Sequence, residues 1–271
     1  MPADVPEGSV TFIGNATTLI RCGGFTLLTD PNFLHRGQYA HLGYGLRSRR
    51  LKDPAMSPEE LPELDGVVLS HLHDDHWDRV AERSLDRDLP ILTTPAAART
   101  LRGRGFAQAS GLATWGDQEL ARGERTVRVT ALPGRHAPGA LRRVLPPVMG
   151  AMLEFGPRDS EPGLRLCISG DTLMYDAIAE IPRRFPDIDV GLVHLGGTTL
   201  LGLLMVTMDG RQGAGWAQTV GCTTIIPIHY DDYTVMKSPL SAFETELRRR
   251  GLTDRLRLIE RGGSLPLQPA R

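Results

Sequence analysis

Short apolar runs alternate with amphipathic stretches along the chain, and their spacing predicts its secondary structure. Three runs near the N-terminus, at residues 9–13, 18–21 and 25–29, are separated by glycines, as is typical of antiparallel strands joined by tight turns. Further apolar runs predict strands at residues 66–70, 90–93, 126–132, 148–155, 164–169, 190–194, 223–228 and 256–260. Periodic apolar positions predict helices at residues 77–83, 96–101, 212–219 and 239–250. This order indicates an α/β fold with two sheet-rich halves in a single domain over residues 1–271.

One segment interrupts this alternation. Residues 31–62 have little periodicity and carry Gly37, Gly43, Gly45 and several prolines. The pattern predicts a long surface excursion, and long loops within compact domains are often functional.

Composition and charge narrow the class of protein. Of the 271 residues, 41% are hydrophobic and 23% are charged, and the formal net charge of −1 lacks the basic excess of a dedicated nucleic-acid binder. No apolar run approaches the roughly 18 residues that span a bilayer, and the N-terminus does not have the pattern of a secretory signal. The three cysteines are far apart, which favours free thiols over a disulfide framework. We therefore expect a cytoplasmic protein with no transmembrane segment and no nucleic-acid partner.

A dense group of metal-binding residue types follows the strand predicted at residues 66–70. The sequence there reads His71-Leu72-His73-Asp74-Asp75-His76. Alternate residues of an extended segment point the same way, so His71 and His73 can face one point. If the chain then turns into a helix, Asp75 and His76 can face a second point nearby. A single histidine here would usually have a structural role, but three histidines beside two acids favour a pair of metal ions.

Three later residues stand in the same relation to predicted strands as His71 does. His136, Asp171 and His229 each come at or just after the end of an apolar run. Alone, each of them would more often be structural. Together with the first group they make five histidines and two aspartates, enough ligands for two metal sites.

At this point the sequence resembles the metallo-β-lactamase-fold hydrolase superfamily over nearly its whole length. The resemblance depends on motifs that occur in the family's order: Thr29-Asp30-Pro31, His71-x-His73-x-Asp75-His76, His136, Ser169-Gly170-Asp171-Thr172 and His229. It implies a four-layer αββα sandwich with the metals at one edge of the sheets. It also implies the ligand sets, which are His71, His73 and His136 for one metal and Asp75, His76 and His229 for the other, with Asp171 bridging them.

The resemblance has consequences for the metal and for one further carboxylate. A donor set of nitrogen and oxygen suits Zn²⁺ best, with Mn²⁺, Fe and Co²⁺ as alternatives. Asp30 corresponds to a family residue near the metal loop, where such groups orient imidazoles. The alternative role for Asp30 is that of a turn carboxylate before Pro31.

Within the superfamily, the chain is most similar to a branch of ascorbate-phosphate lactonases and phospholipases of the D type that act on N-acyl phosphatidylethanolamine. Residues 12–17 and 28–31 carry this closer likeness. The chain departs from the branch at Asn15, where relatives commonly have histidine, at Ala137-Pro138, and at residues 230–233. These departures leave the ligand set intact and concern the identity of the substrate.

Other residues have both a functional and a structural interpretation. His194 ends a predicted strand. It would either contact substrate or donate a proton to a leaving group, or else it would pack behind the site or within its loop. Tyr175, Tyr230 and Tyr233 follow ligand-bearing loops and are candidates for a substrate pocket, although packing is the commoner role of such residues. The apolar stretch at residues 200–206 is a pocket wall, a lid, a partner surface or a buried segment.

The expected function is that of a binuclear metal-dependent hydrolase. A metal-bridging hydroxide, held by Asp75 and Asp171, would attack an ester-like bond, either a phosphodiester or a lactone, in a small or partly apolar substrate. The alternatives are a diiron-type oxidoreductase and a non-catalytic regulatory or binding protein on the same fold. The expected partner is a small-molecule substrate, and a homo-oligomer remains open.

Overall fold

The computed structural model describes residues 7–43, 45–137, 139, 145–200 and 204–269. Within these residues, seventeen strands alternate with five α-helices. The strands are β1 (Gly8–Gly14), β2 (Thr17–Cys22), β3 (Phe25–Thr29), β4 (Tyr39–His41), β5 (Arg47–Arg49), β6 (Gly66–Val68), β7 (Ile91–Thr93), β8 (Ala109–Gly111), β9 (Asp117–Arg122), β10 (Arg125–Leu132), β11 (Gly150–Pro157), β12 (Leu164–Ile168), β13 (Val190–His194), β14 (Thr199–Leu200), β15 (Leu204–Met205), β16 (Thr224–Ile228) and β17 (Ser264–Leu267). The helices are α1 (Arg79–Ser84), α2 (Pro95–Gly103), α3 (Ile181–Arg184), α4 (Gly210–Val220) and α5 (Leu240–Arg249), with short 3-10 turns at Pro58–Glu60, Asp176–Glu180 and Thr253–Arg255.

Two mixed sheets form the centre of the fold. The first has the strand order β17-β1-β2-β3-β6-β7-β8, and the second has the order β16-β13-β12-β11-β10-β9. In the first sheet, β3, β6 and β7 run parallel to one another. In the second, β12, β13 and β16 are parallel. The carboxyl ends of these parallel strands are where the chain leaves each sheet for the loops that carry the polar motifs.

The main core lies between the two sheets, and helices cover their outer faces. Side chains of both sheets, such as Ile20 and Leu27 from the first and Leu153 and Leu192 from the second, share one buried cluster. A second cluster packs α4 and α5 against the outer face of β12 and β13, and a third packs α1 and α2 against β6 and β7. The layers are therefore helix, sheet, sheet and helix, which confirms the predicted α/β sandwich.

The C-terminal strand was predicted in the wrong place. Residues 256–260 are not a strand, although Leu256 forms one isolated bridge to Ile225. The strand is β17 instead, which pairs antiparallel with β1. The apolar spacing misled the prediction, because Leu258 is 50% exposed whereas Leu267 is buried in the core between the sheets.

The predicted excursion at residues 31–62 is a structured segment. It contains the short antiparallel pair β4 and β5, and the bridge from Arg50 to Tyr233 attaches it to the loop that follows β16. Among the helices that the structure describes, none is long and apolar enough to cross a membrane. Cys22, Cys167 and Cys222 are all free and buried.

Candidate metal centre

The predicted site residues come together where strands of both sheets end. Asp30 directly follows β3, His71 follows β6, and Asp171 follows β12 within three residues. His194 is the last residue of β13, and His229 directly follows β16. Because these strands are parallel within each sheet, their carboxyl ends deliver the side chains to one edge, as is common for ligand sites in α/β proteins.

Glycine allows the chain to place Asp171 at this edge. Gly170 has a φ of +62°, and a Cβ atom at that position would lie 2.3 Å from the carbonyl oxygen of Met149. A larger residue would clash with the backbone of Met149, just before β11, and would also adopt a strained conformation. The Ser169-Gly170-Asp171 turn therefore depends on glycine to bring the carboxylate inward.

The first group consists of His71, His73 and His136. The Nδ1 atom of His73 lies 3.0 Å from Nε2 of His71 and 3.4 Å from Nε2 of His136. Two nitrogens bound tetrahedrally to a zinc ion at 2.0–2.1 Å are roughly 3.3 Å apart. The spacing of the three rings is therefore that of ligands to one ion.

The second group consists of Asp75, His76, Asp171 and His229. The Nε2 atom of His76 lies 3.2 Å from Oδ2 of Asp171, and Nε2 of His229 lies 3.5 Å from Oδ2 of Asp75. The four ligand atoms all lie within 4.8 Å of one another, and all four residues are buried. The rings of His71 and His76 are 4.2 Å apart between centroids, so the two groups adjoin.

Hydrogen bonds from outside the cluster fix which nitrogen of each ring faces inward. The Nδ1 atom of His136 lies 3.0 Å from the carbonyl oxygen of Val206, and that of His229 lies 3.2 Å from the carbonyl oxygen of Leu195. A carbonyl only accepts, so Nδ1 donates in both rings and Nε2 keeps its lone pair for the site.

Asp30 and Ser70 have the same effect on the rings of His76 and His71. Oδ2 of Asp30 lies 3.0 Å from Nδ1 of His76 and also accepts from the Ser70 hydroxyl. Because that hydroxyl donates to Asp30, it accepts from Nδ1 of His71 at 3.0 Å. Asp30 thus orients the imidazole of His76 directly and that of His71 through Ser70, which supports the role that the resemblance implied for it.

Burial and charge divide the cluster into a neutral half and a charged half. Burial holds the pKa of His71 well below its ordinary value and lowers that of His73 to about 4 and that of His136 as well. Neutral imidazole is the form that binds a metal ion. Burial also opposes the charge of His76, but the carboxylates of Asp171 and Asp75 outweigh it and hold the pKa of His76 well above the ordinary value.

The carboxylates remain ionised despite complete burial. Burial by itself would raise the pKa of Asp171, but His229 and His76 hold it well below the ordinary value. The pKa of Asp30 is lowered to about 2, because its histidine neighbours outweigh the effect of burial. Two buried carboxylates therefore face the cluster in the ionised form that a cation requires.

Three inward atoms of the second group are buried without a hydrogen-bond partner among the described residues, and they are Asp75 Oδ1, Asp171 Oδ1 and His229 Nε2. Leaving such atoms unsatisfied costs about 1–3 kcal/mol each, and more for charged groups. The donor set, its spacing and its unpartnered atoms all fit a pair of divalent metal ions.

His194 lies behind the second group. It is buried, its Nε2 atom is 3.4 Å from Oδ2 of Asp30, and its ring stacks on that of His76 at 6.0 Å between centroids. Its Nδ1 atom lies 3.3 Å from the Ser169 hydroxyl. Of its two predicted roles, this placement supports the packing role. Asp30, His76 and His194 also form a third grouping with ligand-like spacing.

Asn15, which stands out in the sequence only as a departure from relatives, has a structural role beside the cluster. Its side-chain amide donates to the carbonyl oxygen of Asp75 at 2.6 Å, and its own carbonyl accepts from the amide of His229 at 2.9 Å. Asn15, Asp30 and His229 all have positive φ values, of 54°, 36° and 60°. Asparagine tolerates this region better than most residues, and such strain clusters at functional sites. The signal in the sequence that could have indicated this role is the Gly14-Asn15 pair at the turn between the first two predicted strands.

A network of polar residues behind the cluster was also missed. Asp78 accepts from the backbone amides of Phe33 and Leu34 as well as from two amides of α1. Asp232 is buried, accepts from the amide of Asn15 at 2.8 Å and pairs with Arg261 at 2.9 Å. These partners are far apart in sequence, so local patterns do not reveal them.

Two cavities adjoin the cluster. The smaller one, of about 20 Å³, is lined by His73, Asp75, Asp171, His136 and apolar residues that include Leu145 and Val206. The larger one, of about 450 Å³, shares His136 and Leu145 with it and is also lined by Arg135, Tyr175, residues 146–148, Thr114 and Gly134. His136 of the first group therefore lies at the junction of the two cavities.

The structure separates the other predicted pocket residues. Tyr175 lines the larger cavity, whereas Tyr230 packs beneath α4 and α5. Tyr233 is buried among apolar side chains and donates to Oδ1 of Asn32. This placement does not support substrate contacts for Tyr230 and Tyr233. In the apolar stretch, Val206 forms part of a cavity wall, and residues 201–203 lie outside the described residues, as does Pro138.

The fold and the site together define a class of protein, an αββα sandwich with clustered histidines and aspartates at its sheet edge. Comparison with known families agrees with that class, because residues 26–230 match the family described as the beta-lactamase superfamily domain. This match spans most of the chain. The protein therefore belongs to the metallo-β-lactamase-fold superfamily, as its motifs predicted.

Individual relatives are more distant. The chain is 26% identical over 245 residues to a UPF0173 metal-dependent hydrolase of Exiguobacterium, an alignment that covers 90% of this chain and 95% of the relative. It is 28% identical over 135 residues to N-acyl-phosphatidylethanolamine-hydrolyzing phospholipase D 1 of Caenorhabditis elegans, but that alignment covers 47% of this chain and 37% of the relative. A possible metal-dependent hydrolase from Veillonella parvula has the same fold, with a TM-score of 0.78 at 22% identity, covering 95% of this chain and 98% of that one.

Proposed function

We propose that this metal-dependent hydrolase of the metallo-β-lactamase superfamily holds two divalent ions, most suitably Zn²⁺, and hydrolyses an ester-like bond in a small or partly apolar substrate. The observation that carries the proposal is the pair of adjoining ligand groups, in the second of which Asp75 Oδ1, Asp171 Oδ1 and His229 Nε2 have no hydrogen-bond partner among the described residues. His71, His73 and His136 would hold one ion. Asp75, His76 and His229 would hold the other, and Asp171 would bridge them.

The position of Asp171 supports a bridging role. It belongs to the second group by distance, yet its charge also acts on His71 and His136 of the first group and opposes the lowering of their pKa values. A carboxylate has two oxygens, and in Asp171 Oδ2 is near His76 while Oδ1 has no hydrogen-bond partner among the described residues. The free oxygen is thus available for a second ion.

The chemistry divides between the ions and the protein. Two bound divalent ions would supply a nucleophile at neutral pH by lowering the pKa of water, and would polarise the electrophilic oxygen. Burial keeps the imidazoles of the first group, His71, His73 and His136, neutral, and the neighbouring histidines keep Asp75 and Asp171 ionised. Either carboxylate can accept a hydrogen bond from the attacking water and so hold it in line with the substrate.

An ester-like substrate is favoured by the cleft and by one relative. The small cavity combines ligand residues with the apolar side chains of Leu42, Leu145 and Val206, which suits a substrate with an apolar part. The Caenorhabditis relative is named as a phospholipase D that hydrolyses N-acyl phosphatidylethanolamine. Both points support a phosphodiester or lactone over a β-lactam.

Metal analysis and a substrate panel test this proposal. Protein reconstituted with Zn²⁺ or Mn²⁺ is expected to hold two equivalents of metal and to hydrolyse bis-p-nitrophenyl phosphate or simple lactones. A content of one equivalent or less after reconstitution would contradict the binuclear site. Strong turnover of a chromogenic cephalosporin or of short RNA, with none on the esters or lactones, would overturn the substrate class and leave the metal site standing.

A further inference from the structure

The larger cavity beside the metal centre is not explained by the metal ligands. Its volume of about 450 Å³ lies within the usual range of small-molecule sites. His136 lines both this cavity and the smaller one that contains Asp75 and Asp171. A substrate bound at the metal centre in the smaller cavity can therefore extend past His136 into the larger cavity.

Arg135 supplies the positive charge among the described residues that line this cavity. Its backbone is fixed to the loop that carries Asp171, because its amide donates to the Thr172 hydroxyl at 3.0 Å and its carbonyl accepts from the amide of Leu173 at 2.8 Å. Its guanidinium lies over the ring of Tyr175, 3.9 Å from the ring centroid. The charge is thus held beside the metal centre by the same loop that places a metal ligand.

The N–H groups of this guanidinium have no acceptor among the described residues. Stacking occupies the face of the guanidinium and leaves its N–H groups free in the plane. Within the described part of the chain, these groups make no hydrogen bond and have no carboxylate within ion-pairing distance. Arg165 shows the contrast, because its side chain bonds to Glu154, Glu161 and the carbonyl oxygen of Pro186.

We propose that Arg135, positioned by Tyr175, binds an oxyanion on the substrate, either a carboxylate or a phosphate, at a distance from the bond that is hydrolysed. A planar guanidinium with free N–H groups suits two-point binding of such an oxyanion. The apolar side chains of Leu145, Pro146 and Val148 line the space beside it and would contact the intervening carbon chain. The substrate class becomes a small ester with a remote anionic group. This inference rests on the proposed function for the position of the reacting bond.

A pair of matched esters tests the anion site. Mono-p-nitrophenyl adipate ends in a carboxylate where p-nitrophenyl hexanoate ends in a methyl group. For wild type loaded with metal, we expect a higher kcat/KM on the adipate ester. In Arg135→Gln the ratio of the two kcat/KM values should fall about tenfold or more, mainly through KM, because a charge-assisted hydrogen bond is lost. Equal losses on both esters, or an unchanged ratio, would overturn the proposal.

Two controls separate the anion site from general effects on the protein. Arg87 also stacks on an aromatic ring, 4.2 Å from the centroid of Phe106, but is not among the residues that line either cavity. Arg87→Gln should keep the wild-type ratio. Tyr175→Phe retains the ring and should keep the preference for the adipate ester, whereas Tyr175→Leu should lower it. A drop in the ratio in Arg87→Gln would contradict a role specific to Arg135.

Direct binding distinguishes failure of this inference from failure of the proposed function. Adipate and inorganic phosphate are titrated by calorimetry into metal-loaded wild type and Arg135→Gln, so that any binding to the metal ions is common to both proteins. Weaker binding of adipate to the variant by about tenfold identifies a carboxylate site, and the same loss for phosphate identifies a phosphate site. Equal affinities for both anions would overturn the inference. Binding differences without turnover of any ester would leave the anion site standing and count against the proposed reaction.

Discussion

At the scale of single residues, Asp171 is the group on which a binuclear site depends most. An amide in its place would leave the site with one buried negative charge fewer and a weaker ligand between two cations. We expect Asp171→Asn to lower metal content at both sites and to reduce activity at least about 100-fold, since removal of a group that stabilises transition-state charge costs that much in other enzymes. Mass spectrometry measures the metal content of the variant, and kcat on bis-p-nitrophenyl phosphate measures its activity.

The control for that substitution lies one residue before Asp75. The Asp74 carboxylate accepts from the amide of His41 at 3.0 Å and does not belong to either ligand group. Asp74→Asn should therefore retain two equivalents of metal. If Asp74→Asn lost as much metal as Asp171→Asn, local charge and not ligation would explain both results.

Asn15 provides a second prediction at this scale. Asn15→Ala removes the amide that donates to the Asp75 carbonyl and places alanine at a φ of 54°. The lost hydrogen bond is worth about 1 kcal/mol and the left-handed backbone about 1–2 kcal/mol, so we expect a loss of about 2–3 kcal/mol in unfolding free energy. Asn15→Gly removes the same amide without the backbone strain and should be the milder change. Urea unfolding measures the unfolding free energy of both variants. If the alanine variant were as stable as the glycine variant, the left-handed backbone at residue 15 would not strain alanine.

The residues that cluster at the candidate metal centre could be predicted from the sequence, but the residues that orient them could not. His71, His136, Asp171 and His229 stand at or after strand ends, and that position is visible in the pattern of apolar runs. The residues that orient them are identified only by distances between remote segments. Ser70, for example, contacts Asp30 across forty residues, and Asn15 contacts Asp75 across sixty.

At the scale of secondary-structure elements, the loop that carries the histidine motif is held by the N-terminus of α1. Asp78 caps this helix through the amides of Val80 and Ala81, and its other oxygen accepts from the amides of Phe33 and Leu34. Asp78→Ala should cost about 3 kcal/mol or more, because a lost cap is worth about 1 kcal/mol and each buried amide left unpaired adds about 1 kcal/mol or more.

Another helix of the same chain offers a matched control. Asp209 caps α4, and among the described residues its side chain accepts from one backbone amide, that of Gln212. Asp209→Ala should cost only about 1 kcal/mol. Chemical denaturation of the two variants measures the difference, and similar losses would mean that the loop amides bonded to Asp78 contribute little.

The elements that were predicted poorly share a physical cause. The strand β9 has an exposed, charged sequence and forms only by pairing with β10 at the edge of its sheet. The last strand pairs with β1 from the other end of the chain, so its position depends on a contact that no local pattern contains. Strands with a buried face, such as β12 and β13, were predicted to within one or two residues because burial imposes an apolar sequence.

At the scale of the whole molecule, each of the two ligand groups contains residues that follow strands of both sheets. His71, His73 and His76 follow the first sheet, whereas Asp171 and His229 follow the second. The facing layers must therefore pack correctly before either ligand group is complete. The order of elements predicted the layered class, and the assignment of residues 1–271 to one domain stays a prediction.

This dependence leads to a prediction about metal and global stability. Ions that bind only the assembled site stabilise the folded state by about 2.7 kcal/mol per site when their concentration is 100 times Kd. Two sites would add about 5 kcal/mol, which corresponds to a rise in Tm of about 10 °C or more for a chain of this size. Differential scanning calorimetry with Zn²⁺ and with chelator measures the shift. Asp171→Asn should show a much smaller rise, since it bears on both sites. We attribute the rise in Tm of the wild type to ions that join ligands from both sheets. If Asp171→Asn showed the same rise, the stabilising metal would bind away from the cluster.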